Sequence, residues 1–379
     1  MTLRIGLDAR EAFRQNPRGI GLYARHLMRE FGALCPEVEF LLYHEREAPP
    51  DLPPLAPNMR PVRTATRGGR LHLWERLRIP WRIRRDRVSV YHGTYNTLPP
   101  RWPLWQGPPL VVSLHDIIVT WFDEDLEDPY VRYCRQVTPR VVRDAARILT
   151  VSEWSKRDIV QRYGVSPAKI TVFHNGVHPD FLAVAPEGAG AAARTRFADG
   201  RPYLFAIGAP LPRKNTGRLL DALGVVHARR PLAHLVLISG LVEAAQQHFA
   251  ARARQAGIGE LVRFLPYVTR AELIGLYAGA DLSIYPSLVE GWGIPVIESL
   301  ALGVPVLTSS TSGMAEAGAE HARYFDPNDL ESMAAAIPAA LDARGEFAAL
   351  RPAAVARART FTWRRAAEVT LQVYREVAR

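Results

Sequence analysis

Two glutamates separated by seven residues follow an apolar run in the last third of the chain. The run at 282–285 has the character of a buried strand, and the segment EGWGIPVIE follows at 290–298. Gly291 and Gly293 allow a backbone to approach a ligand, while Pro295 suits the first turn of a helix, whose free N–H groups attract an anion. Glu298, about one turn into that helix, can point back toward Glu290. The segment predicts a site where two carboxylates hold one polyol-phosphate ligand, the alternative being an ordinary turn with solvated acids.

Two adjacent cations, Arg213 and Lys214, come between the strand-like run at 203–207 and a helical pattern. Arginine chelates phosphate oxygens with a planar fork, and lysine acts as a point charge, so the pair suits a diphosphate. Two basic residues near a turn are also commonly solvated. The pair alone does not decide between these interpretations.

The first half of the chain offers a glycine-rich loop and a histidine. Gly19 and Gly21 precede a helical pattern, but the loop lacks the third glycine and later acid of a dinucleotide fingerprint, which disfavours an NAD site. His115 and Asp116 end a strand-like run, at the edge where α/β proteins bind ligands. A tight turn and a structural histidine would explain the same residues, so spacing alone assigns neither role.

Short β-branched runs alternate with helical patterns along the whole chain, which predicts parallel sheets covered on both faces by helices. The runs lie at 3–7, 88–91, 110–114, 148–151, 170–173, 203–207, 234–239, 262–266, 282–285 and 305–308. A small-residue stretch at 183–193 indicates a linker between two series. We therefore predict an α/β protein with two Rossmann-like, doubly wound domains at 1–185 and 186–360, and a C-terminal helix at 361–379 capped by Thr362.

The amino-acid composition restricts the classes of protein to which the chain can belong. Of 379 residues, 48% are hydrophobic and 23% charged, a balance that excludes disorder for most of the chain. The net charge of +10 predicts attraction to something acidic, whether nucleic acid, anionic lipid or a phosphorylated substrate. Cys35 and Cys134 are too few for a disulfide framework or a zinc site. With no signal-like start and no apolar run of membrane length, we expect a cytoplasmic location.

Two charged segments have competing interpretations. The segment 60–87 interleaves ten arginines with tryptophan, leucine and isoleucine, which suits peripheral contact with an anionic membrane, single-stranded nucleic acid, or a packed helix with a solvated basic face. The acidic triplet at 123–125 imitates a metal-holding motif. Acids also favour a helix start, and that is our interpretation of the triplet.

The sequence resembles the retaining glycosyltransferases of family 4, whose donor-site signature is a pair of glutamates spaced as Glu290 and Glu298 are. Within them it is most similar to bacterial polysaccharide mannosyltransferases, over nearly the whole chain, including 4–10, 151–153, 174–177 and the terminal helix. The resemblance implies the GT-B fold, with the donor in a central cleft between two Rossmann-like domains and the C-terminal helix returning to the first. It also implies retention of configuration with neither a metal nor another cofactor.

The resemblance assigns roles to the candidate residues. It implies that Glu290 acts at the donor hexose, that Glu298 binds the nucleotide ribose, and that Arg213 and Lys214 neutralise the diphosphate. His115 would lie at the hexose, and Asp116 would orient its ring or bind an acceptor hydroxyl. Further substrate contacts are expected from Gly19, Gly21, Gly291, Trp292, Gly293 and Ile294.

We therefore predict a hexosyltransferase of cell-surface polysaccharide synthesis, lipopolysaccharide included. GDP-mannose is the preferred donor by subgroup similarity, with UDP-glucose close behind, and the acceptor is a glycan or lipid-linked oligosaccharide. The enzyme would be cytoplasmic or peripheral on the inner membrane face, with no nucleic-acid partner. Alternatives are a sugar-nucleotide epimerase of the same fold and a non-catalytic nucleotide-sugar or nucleic-acid binding protein. A phosphorylase is disfavoured because only three lysines are present.

Overall fold

The computed structural model describes residues 3–17, 19–64, 73–101, 107–122, 128–183 and 185–378, which fall into two compact units. The first unit comprises residues up to Gly176 together with the segment from Thr362 onward, and the second runs from Val177 to Phe361. The chain thus passes from one unit to the other at 176–177 and returns at 361–362.

The first unit is built on a sheet of seven strands in the order β3-β2-β1-β4-β5-β6-β7, with every neighbouring pair parallel. Its strands are β1 (Arg4–Asp8), β2 (Glu39–His44), β3 (Met59–Arg63), β4 (Val90–Gly93), β5 (Leu110–Ser113), β6 (Arg147–Thr150) and β7 (Ile170–Val172). Its helices are α1 (Ile20–Leu34), α2 (Ile79–Arg85), α3 (Pro129–Asp144), α4 (Glu153–Tyr163) and the C-terminal helix (Trp363–Val377). A π-helical turn, Trp74–Arg78, leads into α2. The strand order reverses between β1 and β4.

The second unit repeats this plan with six parallel strands in the order β10-β9-β8-β11-β12-β13. They are β8 (Tyr203–Ile207), β9 (Leu235–Ser239), β10 (Val262–Leu265), β11 (Leu282–Tyr285), β12 (Val306–Ser309) and β13 (Arg323–Phe325). Its helices are α5 (Pro179–Leu182), α6 (Ala189–Ala198), α7 (Thr216–Arg229), α8 (Glu243–Gln255), α9 (Arg270–Gly279), α10 (Ile294–Ala301), α11 (Ser312–Gly318), α12 (Leu330–Asp342) and α13 (Arg344–Thr360). Here the order reverses between β8 and β11.

The predicted class, two doubly wound α/β domains, is confirmed, and so is the return of the last helix to the first unit. Thr362 caps that helix by accepting a hydrogen bond from the Arg365 amide at 3.2 Å. Trp363 stacks on His26 with ring centroids 4.5 Å apart, and the Tyr374 hydroxyl lies 2.5 Å from Nδ1 of His92. Within the described residues, no helix has both the length and the apolar character needed to cross a membrane.

The second half of the linker predicted at 183–193 is helical, because α6 begins at residue 189, and the chain leaves the first unit at 176–177, before the predicted domain boundary at 185. The small residues serve close helix packing. A Cβ built on Gly190 would lie 2.8 Å from the Ala278 carbonyl oxygen, and one on Gly279 would lie 2.5 Å from the Gly190 carbonyl oxygen. The backbones of α6 and α9 therefore touch where a side chain would hold them apart.

Candidate functional site

Two loops of the second unit meet at the point where its strand order reverses. In doubly wound sheets, ligands bind outside the carboxyl ends of the strands at such a point. The loop after β8 leads through a 3₁₀ turn, Pro212–Lys214, and the loop after β11 leads to Glu290. The Leu288 amide donates to the Arg213 carbonyl oxygen at 2.7 Å. The candidate cations and the first candidate acid are thereby joined through their backbones.

The Glu290 carboxylate lies between the two predicted cations. Nη1 of Arg213 is 3.1 Å from each of its oxygens, and Nζ of Lys214 is 2.7 Å from Oε1. The side chains of Arg213, Lys214 and Glu290 retain 22%, 24% and 16% exposure, so a ligand can still reach them. Two positive charges face one negative charge. The cluster therefore carries a net positive charge that an anionic ligand would satisfy.

The ionisation of Glu290 follows from these neighbours. Burial alone would raise the pKa of this carboxyl, but the charges of Lys214 and Arg213 outweigh burial and hold the pKa below its ordinary value. Glu290 is therefore a permanent anion at neutral pH. It competes with any anionic ligand for the same two cations.

Asn215, which the sequence analysis missed, fixes the turn that carries the cations. It adopts a left-handed backbone with φ of 56°, a conformation that asparagine tolerates better than most residues. Its Nδ2 donates to the carbonyl oxygens of Pro286 at 3.1 Å and Pro327 at 2.9 Å. The turn is thus tied to the end of β11. An asparagine directly after two cations at a helix start is a signal that could have been found.

The glycine-rich loop at 290–293 packs against the start of α11. The Glu290 amide donates to Oγ of Ser312, and the Gly313 amide donates to the Glu290 carbonyl oxygen. A Cβ on Gly313 would lie 2.2 Å from the Gly291 carbonyl oxygen, and one on Gly293 would lie 2.9 Å from Cβ of Ala317. The space beside Gly293 is therefore filled by α11, and the small size of this residue serves packing.

Trp292 and Ile294 flank that glycine in different environments. The Trp292 ring is buried and meets Phe361 edge to face, with centroids 5.1 Å apart, while Ile294 is half-buried as the first residue of α10. Ligand contacts from 291–294 stay a prediction.

Glu298 lies in a different environment from Glu290. The Tyr277 hydroxyl donates to its Oε2 at 3.2 Å. Burial raises the pKa of Glu298 to about 7, although the hydrogen bond from Tyr277 and the charge of Arg270 oppose the rise. Glu298 is thus influenced by Tyr277 and Arg270, whereas Arg213 and Lys214 contact Glu290. The two acids form separate anchor points.

His115 follows β5 in the first unit and is buried. Its amide donates to Oδ1 of Asn96 at 3.0 Å, its Nε2 lies 3.3 Å from the Thr94 carbonyl oxygen, and its ring meets Tyr23 edge to face at 4.6 Å. Burial lowers the pKa of His115 to about 4, so the imidazole is neutral at physiological pH. Asp116 accepts a hydrogen bond at 3.0 Å from the amide of Ile118, the first residue of a 3₁₀ turn.

Gly19, directly before α1, and Gly21, in its first turn, are required for different structural reasons. Gly19 has φ of 48°, and a Cβ there would meet nothing within 4 Å, so its backbone conformation alone requires glycine. A Cβ on Gly21 would lie 2.7 Å from Cβ of Pro17 and 2.8 Å from the Glu11 carbonyl oxygen. The acidic triplet at 123–125 lies outside the described residues, and its interpretation stays a prediction.

A buried ionic network at the carboxyl end of β1 was also missed. Arg10 forks onto Asp8 at 2.9 and 2.5 Å, reaches Glu75 at 3.1 Å and covers the Trp74 ring with its guanidinium carbon 4.0 Å from the centroid. Tyr133 donates to the other oxygen of Glu75 at 2.7 Å. The network joins the π-helical turn to the first strand. The spacing of these residues in the sequence does not predict it.

Comparison with protein families decides the class. A model described as "Glycosyltransferase Family 4" matches residues 17–181, and one described as "Glycosyl transferases group 1" matches residues 191–358. The chain is a member of glycosyltransferase family 4. The family resemblance predicted from the spaced glutamates is confirmed.

Relatives of this family 4 glycosyltransferase have different specificities. It is 27% identical over 300 residues to the O-antigen chain mannosyltransferase B of Escherichia coli, covering 78% of this chain and 76% of that protein. It is 30% identical over 292 residues to the D-inositol 3-phosphate glycosyltransferase of Thermobispora bispora, covering 73% and 66%. The structure of Anabaena HepE in complex with UDP and glucose superposes with a TM-score of 0.70 at 15% identity, with full coverage of both chains, 100% and 100%. The GT-B fold assignment is thereby confirmed.

Proposed function

We propose that this glycosyltransferase moves a hexosyl group from a nucleoside-diphosphate sugar to a hydroxyl of a glycan or lipid-linked acceptor. The observation that carries the proposal is the cluster of Arg213, Lys214 and Glu290 at the carboxyl ends of β8 and β11. Partly exposed cations at a strand-order reversal match a diphosphate in charge and position. In this proposal the second unit binds the donor and the first unit binds the acceptor.

In the proposed reaction, the cluster of Arg213, Lys214 and Glu290 lies where negative charge develops on the leaving group. As the glycosidic bond of the donor breaks, the electron pair stays with the diphosphate leaving group, and negative charge grows on its oxygens. Arg213 and Lys214 stabilise that charge in place. The carboxylate of Glu290, displaced from part of its cation contacts, is then available to the hexose, whose anomeric carbon becomes positive. The acceptor hydroxyl oxygen forms the new bond to that carbon, and its proton passes to the departing diphosphate.

The remaining candidates fill supporting roles in this proposal. Neutral His115 contacts the hexose as a hydrogen-bonding group, and Asp116 binds an acceptor hydroxyl. Gly19 and Gly21 shape the loop near the donor phosphates and the acceptor. Transfer with retention of configuration and without a metal belongs to the same proposal, because the two cations supply the neutralisation that a diphosphate needs. Transfer that persists undiminished in EDTA is the expected result.

The donor is proposed to be GDP-mannose first and UDP-glucose second. The mannosyltransferase relative supports mannose, and the UDP and glucose held by HepE support a uridine donor. A relative named for D-inositol 3-phosphate supports a small polyol phosphate as a rival acceptor. The mannosyltransferase relative, named for the O-antigen chain, favours a growing polysaccharide.

A thermal-shift panel of UDP, GDP, ADP and dTDP with their hexose sugars tests the function. A ligand that binds only the native state raises the apparent Tm as its concentration exceeds its Kd. We expect one nucleotide family to shift the Tm and its sugar to lengthen an added oligosaccharide. Stabilisation by none of them would remove the proposed function, and stabilisation with a changed sugar but no lengthened product would indicate an epimerase.

Peripheral contact with an anionic membrane is part of the proposal for a lipid-linked acceptor. On the segment 74–87 Ile79 and Ile83 are buried, while Leu77 and Trp81 are 56% and 57% exposed. Exposed on the same segment are Arg76, Arg78, Arg84, Arg85 and Arg87. Basic side chains around exposed aromatic and aliphatic groups suit an anionic interface, where the positive charges meet lipid phosphates.

Vesicle flotation tests this contact. The wild-type protein should float with vesicles of phosphatidylcholine and phosphatidylglycerol at low salt, and a variant with Leu77→Ser and Trp81→Ser should float less. A matched control replaces Leu211 and Val242, which are exposed apolar residues of the second unit. Equal flotation of the segment variant and wild type, or no flotation of either, would contradict membrane contact through this segment.

A further inference from the structure

A buried tyrosine supports Glu298 through a hydrogen bond. Tyr277, on α9, donates its hydroxyl hydrogen to Oε2 of the carboxylate. Its ring is fully buried and meets Phe205 and Phe181 edge to face, with centroids 5.0 and 5.8 Å away. Because these contacts prevent the ring from swinging, the hydroxyl occupies a fixed point beside the carboxylate.

Tyr277 is a permanent donor. Burial, together with the neighbouring Tyr285 and Glu298, holds the pKa of its phenol far above the ordinary value, so the hydroxyl keeps its proton. Beyond it, the Tyr285 hydroxyl lies 2.8 Å from Oγ of Ser299, which in turn donates to the Pro295 carbonyl oxygen at 2.9 Å. These bonds tie β11 to the first turn of α10. The helix that carries Glu298 is therefore fixed as well as the carboxylate itself.

We propose that Tyr277 is a positioning residue for donor binding, which holds Oε2 of Glu298 so that Oε1 accepts a hydrogen bond from the nucleotide ribose. The inference rests on the proposed function, in which Glu298 binds that ribose. A carboxylate held through one oxygen presents the other in a defined direction, and a fixed acceptor loses less entropy when a ligand hydroxyl docks. The ribose hydroxyls are the ligand groups that Tyr277 affects.

The pH at which Glu298 loses its charge is a second property that should depend on Tyr277. Charged and titratable groups near the carboxylate are Tyr277 and Arg270 from α9 and Tyr285 from β11, and Arg270 also pairs with Asp180 at 3.6 Å. The phenol hydrogen bond stabilises the ionised carboxylate against burial. Replacing Tyr277 by phenylalanine removes that stabilisation. The pKa of Glu298 then rises above about 7, and the carboxylate loses its charge at a higher pH.

The test compares ribonucleotides with nucleotides that lack the ribose hydroxyls. Titration calorimetry measures the Kd of GDP and UDP, and of their 2′,3′-dideoxy counterparts, for wild type, Tyr277→Phe and Glu298→Gln. We expect Tyr277→Phe to weaken the ribonucleotide by about fivefold, the loss typical of one hydrogen bond, and to leave the dideoxy nucleotide unchanged. Tyr324→Phe is the matched control, because that hydroxyl donates to Ala319 within the same unit.

The pH profile supplies the second readout. In wild type the affinity for the ribonucleotide should fall as the pH drops through about 7, and in Tyr277→Phe the fall should begin at a higher pH. In Glu298→Gln the ribonucleotide should keep only the pH dependence that the dideoxy nucleotide also shows, which comes from the titration of the terminal phosphate. Equal loss of both nucleotides in Tyr277→Phe, unchanged affinity for both, or a flat wild-type profile would each overturn the inference. Failure of every nucleotide to bind wild type would instead overturn the proposed function.

Discussion

Replacing Glu290 by glutamine should affect binding and turnover in opposite directions. In the free protein the Glu290 carboxylate is held by Arg213 at 3.1 Å and by Lys214 at 2.7 Å. A diphosphate needs the same two cations, so it must compete with this carboxylate. Glutamine keeps the shape of the side chain and removes the competing charge. GDP or UDP without a sugar should therefore bind more tightly to Glu290→Gln than to wild type.

The size of the effect follows from the geometry. Two unit charges about 4 Å apart interact by about 4 kcal/mol near a protein surface, and solvent and salt screen part of that. With side chains 16% to 24% exposed, a net gain of about 1 kcal/mol, or about fivefold in Kd, is reasonable for the nucleotide. The free protein should lose about 1–2 kcal/mol of unfolding free energy, because two adjacent cations lose their shared anion. Transfer should fall by about 10²-fold, since the carboxylate is absent from the hexose.

Calorimetry with the nucleoside diphosphate, urea denaturation without ligand and a transfer assay measure the three effects. Glu331→Gln is the control, because Glu331 forms a well-exposed ion pair with Arg229 in the same unit at 2.8 Å and should change none of the three. Weaker nucleotide binding by Glu290→Gln would refute the competition between carboxylate and diphosphate. Transfer at the wild-type rate would remove Glu290 from the mechanism.

Three further outcomes can be measured on single variants. Lys214→Met should weaken the nucleoside diphosphate by about tenfold in calorimetry through the loss of a charged contact, whereas Lys156→Met should not, and equal affinity of both variants would count against the diphosphate pocket. Burial lowers the folded-state pKa of His115 to about 4 and of His92 to about 3, from 6.5. As the pH drops below 6.5, the unfolded chain therefore takes up protons before the folded protein does. The stability that these neutral histidines contribute is fully present above pH 6.5. Below pH 6.5 the free energy of unfolding should decrease by up to about 1.4 kcal/mol per pH unit for each histidine. Urea denaturation at stepped pH should show a shallower fall in His115→Asn, and identical slopes would contradict the assignment. Arg10→Met leaves two buried carboxylates without their cation and should cost about 3–5 kcal/mol in urea denaturation; a loss below 1 kcal/mol, the scale of an exposed ion pair, would show that the network is solvated.

Most strands that are buried on both faces could be predicted from the sequence. The continuous apolar runs that became β5, β8 and β11 gave both the class and the order of the elements. Three strands were missed: β2, β3 and β13. β3, with the sequence MRPVR, is buried at only two of its five residues and β13 at one of its three, whereas β2 is buried at five of its six and its apolar run was overlooked. A largely exposed strand such as β3 or β13 has no continuous apolar run to detect. The start of α6 was mistaken for part of a linker, because tight helix packing and flexible loops both favour glycine and alanine.

Only the part of the site that follows from the order of strands and loops could be predicted from the sequence. The family resemblance assigned Arg213, Lys214 and Glu290 to one donor, and parallel strands bring their following loops to one edge; the three side chains do lie close together. The partner of Glu298 could not be predicted, because Tyr277 belongs to another helix and its position depends on packing among buried aromatic rings. The ionisation of a buried acid follows from such tertiary contacts, and sequence spacing does not contain them.

A crystal structure with the nucleoside diphosphate that binds would show whether Arg213 and Lys214 hold the donor diphosphate. We expect phosphate oxygens within about 3 Å of both cations and ribose hydroxyls at a similar distance from Glu298. A nucleotide seated elsewhere, with Glu290 still paired to both cations, would contradict this expectation.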